Sequence, residues 1–326
     1  MRKNILTVLL IACSLLSGCD KHIKHDIKDY QVNLEYKDNF KIQVLTDIHW
    51  STLTDIEEQE IYLRHNILEA DADLIVIDGD SFFEATRPQV RTLFDFIDSF
   101  DKKWVYLKGN HDHQGRFSPT YLKKYLSSKK NVINVDYDDD LPGEANFYVD
   151  LKNGDDLVYR LFMLDTGSYI RDGLFSYTYS KLDDKQLDHV QEIQNKETDN
   201  DYQTLAFFHI PVAEYQDAYD GYKEGKYVGK GENREKSCPC ELPNDNFARL
   251  KEAKVQATFC GHDHINSSSI IYEDVIFTYC VKSTDQIYCD EDMIGYTLIT
   301  LNNLPFGLDN IQPVFHNFKE TVKENR

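Results

Sequence analysis

Positive charge is in short supply in this chain. Its 326 residues carry 36 Lys and Arg against 56 Asp and Glu, a formal net charge of −20. That balance argues against broad attraction to nucleic acid or anionic lipid, so a phosphate-bearing ligand would have to be drawn in by local positive charge. Long apolar runs are equally scarce: after residues 5–16 there is no second apolar span, no internal repeat and no low-complexity tract. Cysteine is too sparse for a disulfide scaffold. Beyond Cys19 there remain Cys238, Cys240, Cys260, Cys280 and Cys289, an odd set that leaves at least one thiol unpaired. Cys238-Pro239-Cys240 is too tight to close on itself and lacks a metal-ribbon spacing, and Cys260 reads as a small core residue. A bridge from Cys238 or Cys240 to Cys280 or Cys289 stays open.

The N-terminus carries Arg2 and Lys3, an apolar stretch from Ile5 to Leu16, and then Leu16-Ser17-Gly18-Cys19. A basic start, a short apolar core and small residues before a cut make a secretory signal; a membrane span needs about 20 apolar residues. The Leu-Ser-Gly-Cys ending resembles a bacterial lipobox. That resemblance implies cleavage before Cys19, lipidation of Cys19, and an extracytoplasmic protein anchored to the bacterial cell membrane. The expected organisation is a signal over 1–18, a tether over 19–39 and one large domain over 40–326. His22 and His25, among lysines in the tether, read as solvated bystanders.

From Phe40 the chain alternates apolar runs with helical patterns. Buried strands are expected at Phe40–Leu45, Leu74–Ile77, Trp104–Leu107, Thr204–Phe208 and Val255–Cys260, since continuous β-branched and aromatic runs suit strands covered on both faces. Helices are expected at 55–70, 88–99, 118–128, 183–196 and 245–253. The middle section reads as strands 145–151 and 157–164 joined by Asn153-Gly154-Asp155, and further strands fall at 268–272, 275–280 and 295–301. Residues 215–243, rich in Tyr, Gly, Lys and Glu, read as a long loop that would overhang a site and select substrate, or else as a surface insertion.

Polar fragments stand where the five buried strands give out: Asp47-Ile48-His49, Gly79-Asp80, Gly109-Asn110-His111-Asp112, His209 and Gly261-His262-Asp263-His264. Residues at such ends face the crevice in which open α/β sheets bind ligands. Carboxylate, amide oxygen and imidazole without cysteine form a donor set for Mn, Fe or Zn. Any one fragment is common; five in this order are specific.

The five fragments together resemble the calcineurin-like metallophosphoesterases, from about Phe40 to the end of the chain. His209-Ile210-Pro211 and Phe259-Cys260-Gly261-His262-Asp263-His264 are most similar to the branch related to purple acid phosphatases. The resemblance implies a four-layer α-β-β-α sandwich of two mixed sheets with a binuclear metal site at the strand ends. Asp47, His49 and His264 would hold one divalent ion, Asn110, His209 and His262 the other, and Asp80 would bridge them. A hydroxide between the metals would attack a small phosphate ester. His111 would protonate the leaving group, with Asp112 fixing its tautomer. Glycines at 79, 109 and 261 would let backbone approach the ions.

Phe83 occupies the place of the tyrosine that colours purple acid phosphatases, so a colourless divalent site is expected. His113 is a candidate for lining the substrate pocket, and Asp165-Thr166-Gly167 either borders the site or makes a turn. His65, His189 and His316 read as bystanders. Phosphomonoester hydrolysis is the favoured reading. A phosphodiesterase, or a surface lipoprotein that binds ligand without catalysis, is the alternative.

Overall fold

Alternation along the apolar runs explains how two sheets come to share one core. A computed structural model of the chain describes residues 31–133, 141–144, 146–197, 201–302 and 305–326. Strands β1 (Gln31–Glu35) and β2 (Phe40–Leu45) lead through helix α1 (Ile56–Ala70) to β3 (Leu74–Asp78), then α2 (Arg87–Asp98), β4 (Lys103–Leu107) and α3 (Pro119–Leu126). Phe40, Ile42, Val44, Leu74, Val76, Val105 and Leu107 point into one cluster, while Leu45, Ile75, Ile77, Trp104 and Tyr106 point into another with the apolar faces of the three helices. Period-two alternation therefore splits each run between an inter-sheet core and a helix-covered outer face.

The second half repeats this scheme. It comprises β5 (Phe147–Asn153), β6 (Asp156–Met163), the small hairpin β7 (Tyr169–Arg171) and β8 (Tyr177–Tyr179), α4 (Asp184–Lys196), β9 (Gln203–Phe207), α5 (Glu214–Lys223), β10 (Gly229–Lys230), α6 (Asn246–Glu252), β11 (Ala257–Cys260), β12 (Ser269–Tyr272) and β13 (Val275–Tyr279). The chain closes with β14 (Gly295–Leu301), β15 (Ile311–Phe315) and α7 (Phe318–Asn325). Sheet order is β1-β5-β6-β9-β11-β13-β12-β10 against β15-β14-β2-β3-β4. Both sheets mix parallel and antiparallel pairs. Leu205, Phe207, Ala257 and Phe259 meet the first sheet, and Ala206, Phe208 and Cys260 meet α4, α5 and α6 on the far side. The result is the expected four-layer α-β-β-α arrangement.

Helix starts follow local chemistry. Asp55 accepts the Glu58 amide at the start of α1, and Asp183 and Gln186 form a reciprocal capping box at α4. The five expected helices occur within two residues of their expected bounds.

Two expectations need correction. The tether was expected to run to residue 39, but from Gln31 it is fold: β1 pairs in parallel with β5, and Gln31 donates to Asp150 at 2.8 Å. Residues 1–30, which hold the expected signal, Cys19, His22 and His25, lie outside the described residues. The segment 215–243 is not one loop, because its first part is α5, which buries Tyr215, Ala218 and Gly221. All five cysteines among the described residues are free, so none of the bridges left open forms. No helix among the described residues is long and apolar enough to cross a membrane.

His189 illustrates one consequence of burial. It is 6 % exposed on α4, and burial pushes its imidazole down to about 4. The unfolded chain takes up this proton near the ordinary value of about 6.5, while the native state resists it. Stability from this group is thus present above pH 6.5 and lost as pH falls toward 4. Urea unfolding at pH 7 and pH 5 should show His189→Gln losing less stability than wild type, by on the order of 1 kcal/mol.

Candidate metal centre

The C-terminal ends of β2, β3, β4, β9 and β11 bring all seven expected donors, Asp47, His49, Asp80, Asn110, His209, His262 and His264, to the seam between the sheets. All seven are buried, none more than 7 % exposed. Donor atoms of six of them fall into two groups, Asp47 with His49 and His264, and Asp80 with His209 and His262, each within 4.8 Å.

Hydrogen bonds divide each carboxylate into a fixed and a free half. Asp47 Oδ2 accepts from the Thr46 hydroxyl at 2.8 Å and the His262 amide at 3.0 Å. Asp47 Oδ1 has no partner and faces the Nε2 atoms of His264, His49 and His209 at 3.4, 3.7 and 3.8 Å. Asp80 Oδ1 accepts the His111 amide at 2.7 Å, leaving Oδ2 toward His209 Nε2 at 3.2 Å. Asn110 Oδ1 and His262 Nδ1 are likewise buried without hydrogen-bond partners.

Two tautomers follow from the backbone. Nδ1 of His209 lies 2.7 Å from the Asp78 carbonyl, and Nδ1 of His264 lies 2.9 Å from the Tyr288 carbonyl. A carbonyl only accepts, so Nδ1 carries the hydrogen and Nε2 presents its lone pair to the site, the usual arrangement behind a ligating histidine. The His49 and His264 Nε2 atoms stand 2.9 Å apart. A His49 Nε2–H donates to the His264 lone pair at that distance, and a cation held between the two nitrogens would take the place of that hydrogen.

These observations fit divalent ions. Bonds of about 2.1 Å in tetrahedral or octahedral geometry set neighbouring donors about 3.0 to 3.4 Å apart, close to the spacings seen. Orphaned buried donors would otherwise each cost about 1 to 3 kcal/mol.

Electrostatics pull the two sides apart. Burial opposes ionisation of Asp47, but His209, His264 and Lys282 overcome it and hold the carboxyl well below the usual range. For His209 burial acts downward, and the Asp80 and Asp47 carboxylates raise it well above the ordinary imidazole value, so in the absence of a cation Nε2 holds a proton that a bound ion would displace to reach the lone pair. Burial pushes His262 down to about 3, a neutral ligand form.

The backbone here is strained. Asp47, His49, Asp80 and His262 all sit at positive φ, 54°, 52°, 46° and 76°. Such conformations cost of order 1 to 3 kcal/mol each and persist where the surroundings over-determine them. Gly79, at φ +84°, has a second reason for its identity, because a Cβ there would meet His209 Nδ1 at 2.4 Å. At Gly261 a Cβ would meet the Thr46 hydroxyl at 2.0 Å. At these two positions the backbone comes close to a ligating side chain, His209 at Gly79 and, at 2.6 Å from the Cβ position, Asp47 Oδ2 at Gly261.

His111 opens a short 3-10 turn, His111–Gln114, and its ring stands 5.3 Å from that of His49 and 5.1 Å from that of Phe83. The expected role of Asp112 is overturned. Its carboxylate turns inward, accepting the Phe82 amide at 2.8 Å and the Gly109 amide at 2.9 Å, so it ties the ends of β3 and β4 together. Gln114 Oε1, 2.8 Å from His111 Nδ1, is the group that orients His111. His113 is exposed on the same turn. Asp165 makes a turn, accepting the Gly167 amide at 2.7 Å, while Thr166 Oγ1 accepts the amide of Ile210 beside His209 at 3.2 Å.

Sequence reading missed several supports. Lys282 is buried and donates to the Asp47 carbonyl at 2.7 Å; burial lowers it to about 8. Tyr288 stacks on His264 at 4.2 Å, and Tyr179 meets His262 edge-on at 4.3 Å. Asp263 accepts the Tyr279 hydroxyl at 2.6 Å and the Cys238 amide at 3.1 Å, which draws part of the 231–243 segment beside the histidines. No motif or periodicity in the chain marks Lys282, Tyr288 or Tyr179, and although Asp263 stands inside the Gly261–His264 fragment, nothing there marks its partners.

Comparison with known proteins agrees with this geometry. The family model described as calcineurin-like phosphoesterase matches residues 40–266. Two Arabidopsis thaliana proteins are similar in sequence. The one named probable inactive purple acid phosphatase 14 is 24% identical over 306 residues, covering 81% of this chain and 74% of the relative. The one named probable inactive purple acid phosphatase 28 is 23% identical over 334 residues, with 85% and 81% covered. Among solved structures, a dimetal phosphatase from Danio rerio superimposes with a TM-score of 0.53 at 11% identity, over 82% of this chain and 98% of that one, a likeness of fold.

Proposed function

Because the chain belongs to the calcineurin-like phosphoesterase family, we propose that it hydrolyses small phosphate monoesters with two divalent metal ions, Mn, Fe or Zn, held by the seven converging side chains. The observation that carries the reading is the set of buried donor atoms without hydrogen-bond partners on Asp47, Asn110 and His262, beside the two carboxylate–imidazole groups at the same strand ends. Bound ions would supply Lewis acidity, ionising a water near neutral pH and offsetting phosphate charge.

The chain's own residues do the rest. Backbone carbonyls at Asp78 and Tyr288 hold two imidazoles in the ligating tautomer. Asp47 and Asp80 each keep one oxygen tied and one free. His111, half-buried at the mouth and held by Gln114, is placed to hand a proton to the departing alkoxide. Tyr179, Tyr288 and Phe83 wall the mouth with apolar surface, which limits water around the reacting group.

Two Arabidopsis relatives carry names that call them inactive, so a ligand-binding role without turnover is the second reading. The completeness of the donor set here favours catalysis. Initial rates of the purified full chain with Mn, on a nitrophenyl phosphate monoester and the matching diester, separate the readings. Faster monoester turnover supports the proposal, faster diester turnover makes it a phosphodiesterase, and bound metal without turnover of either substrate favours ligand binding.

Phe83 places a ring without a phenol oxygen 6.2 Å from the His49 ring. Metal-loaded protein should therefore lack a strong visible charge-transfer band. An absorbance scan checks this, and a purple or pink solution would contradict it. The Cys19 lipobox further supports a protein anchored outside the cytoplasmic membrane. Labelling with a radioactive fatty acid, lost in Cys19→Ala, tests that part.

A further inference from the structure

Three residues that belong to none of the five motifs meet beside the C-terminal helix. His65 and Glu69 lie one turn apart on α1, and His316 joins them from between β15 and α7. One donor atom from each lies within 4.8 Å of the other two. His316 Nε2 stands 2.5 Å from Glu69 Oε2, and the His65 and His316 rings meet edge to face at 4.9 Å. Tyr296 donates its hydroxyl to the same Glu69 oxygen at 3.0 Å, and the Asn325 side-chain nitrogen approaches His65 Nδ1 at 3.5 Å. His65 and Glu69 also line a surface cavity. The nearby Arg64 guanidinium lies over Phe96 and Phe100, at 5.2 and 5.3 Å from their ring centres.

We infer that His65, Glu69 and His316 form a third cation site, suited to Zn²⁺, that clamps the C-terminal segment onto α1. Two imidazoles and one carboxylate are a zinc donor set, and a water would complete four-coordination. Donors around tetrahedral zinc lie about 3.3 Å apart, which half-exposed side chains on one helix turn reach by small rotations. A hard ion such as Mg²⁺ would prefer more oxygens than this cluster offers. A simple ion pair between His316 and Glu69 accounts for two of the residues but not for a second imidazole with a donor atom within 4.8 Å of both. The signal in the sequence was the i,i+4 spacing of His65 and Glu69; the third ligand, 247 positions from Glu69, carried none.

The test is a zinc count. Full-length wild type, His65→Ala and His316→Gln are dialysed to equilibrium against low micromolar zinc, and metal per chain is measured by mass spectrometry. The inference expects one zinc fewer per chain in each variant, with turnover unchanged. It also expects zinc to raise the thermal midpoint of wild type more than that of either variant. Equal counts in wild type and variants would overturn it, whatever the occupancy of the strand-end centre. If either histidine variant misfolds, Glu69→Gln, whose amide oxygen can still accept from Tyr296, is read in the same way.

Discussion

Replacing His111 with alanine is expected to lower kcat about 100- to 10,000-fold while the protein keeps both strand-end metals. The split between rate and metal content matters. His111 contributes its amide, not its ring, to the Asp80 carboxylate, and a truncated side chain leaves that bond in place. The ring itself is half-buried and held at Nδ1 by Gln114, so Nε2 is free to meet the leaving group. Gln114→Ala should follow in the same direction with a smaller loss, because it removes orientation and not the proton donor. Steady-state rates with metal analysis of the same samples check both. Loss of a metal equivalent in His111→Ala would make the residue a ligand.

A second large effect is expected far from the chemistry. Arg160 on β6 is 1 % exposed and faces Asp150, its register partner on β5, through two bonds of 2.7 and 2.8 Å. Tyr148 and Tyr202 flank the guanidinium at 4.8 and 5.4 Å, and Glu197 accepts a further bond at 2.9 Å. Arg160→Met would leave the Asp150 carboxylate buried with Gln31 as its main remaining partner. Breaking such a pair costs about 3 to 5 kcal/mol, whereas exchanging both partners for apolar residues is often close to neutral. Urea unfolding should show the single variant strongly destabilised and Arg160→Met with Asp150→Leu largely restored. A double variant as weak as the single one would mean that packing against the tyrosines, and not the unpaired charge, carries the loss.

The strand-end donors were legible because each follows an unbroken apolar run, which predicts a covered strand, and at Asp80, Asn110 and His262 a preceding glycine also predicts a turn at its end. Side-chain partners within those turns were not legible. Asp112 follows His111 directly in sequence, but on a 3-10 turn the residue that shares a face is three positions on, which is Gln114, while Asp112 points inward. The polar composition of α5 and of β1 hid them, since α5 buries only Tyr215, Ala218 and Gly221. Lys282 and Tyr288 reach the centre through the tertiary fold alone, and nothing local marks them.

The central claim is that this seam is a working two-metal phosphoesterase centre, and Asp80→Asn tests it most directly. The substitution keeps shape and removes one charge from the carboxylate whose free oxygen faces His209. Initial rates on the nitrophenyl monoester with Mn, beside metal content, should fall by about 1,000-fold or more, the loss of several kcal/mol of charge stabilisation. Turnover unchanged in Asp80→Asn would contradict the account and move the activity to another part of the molecule.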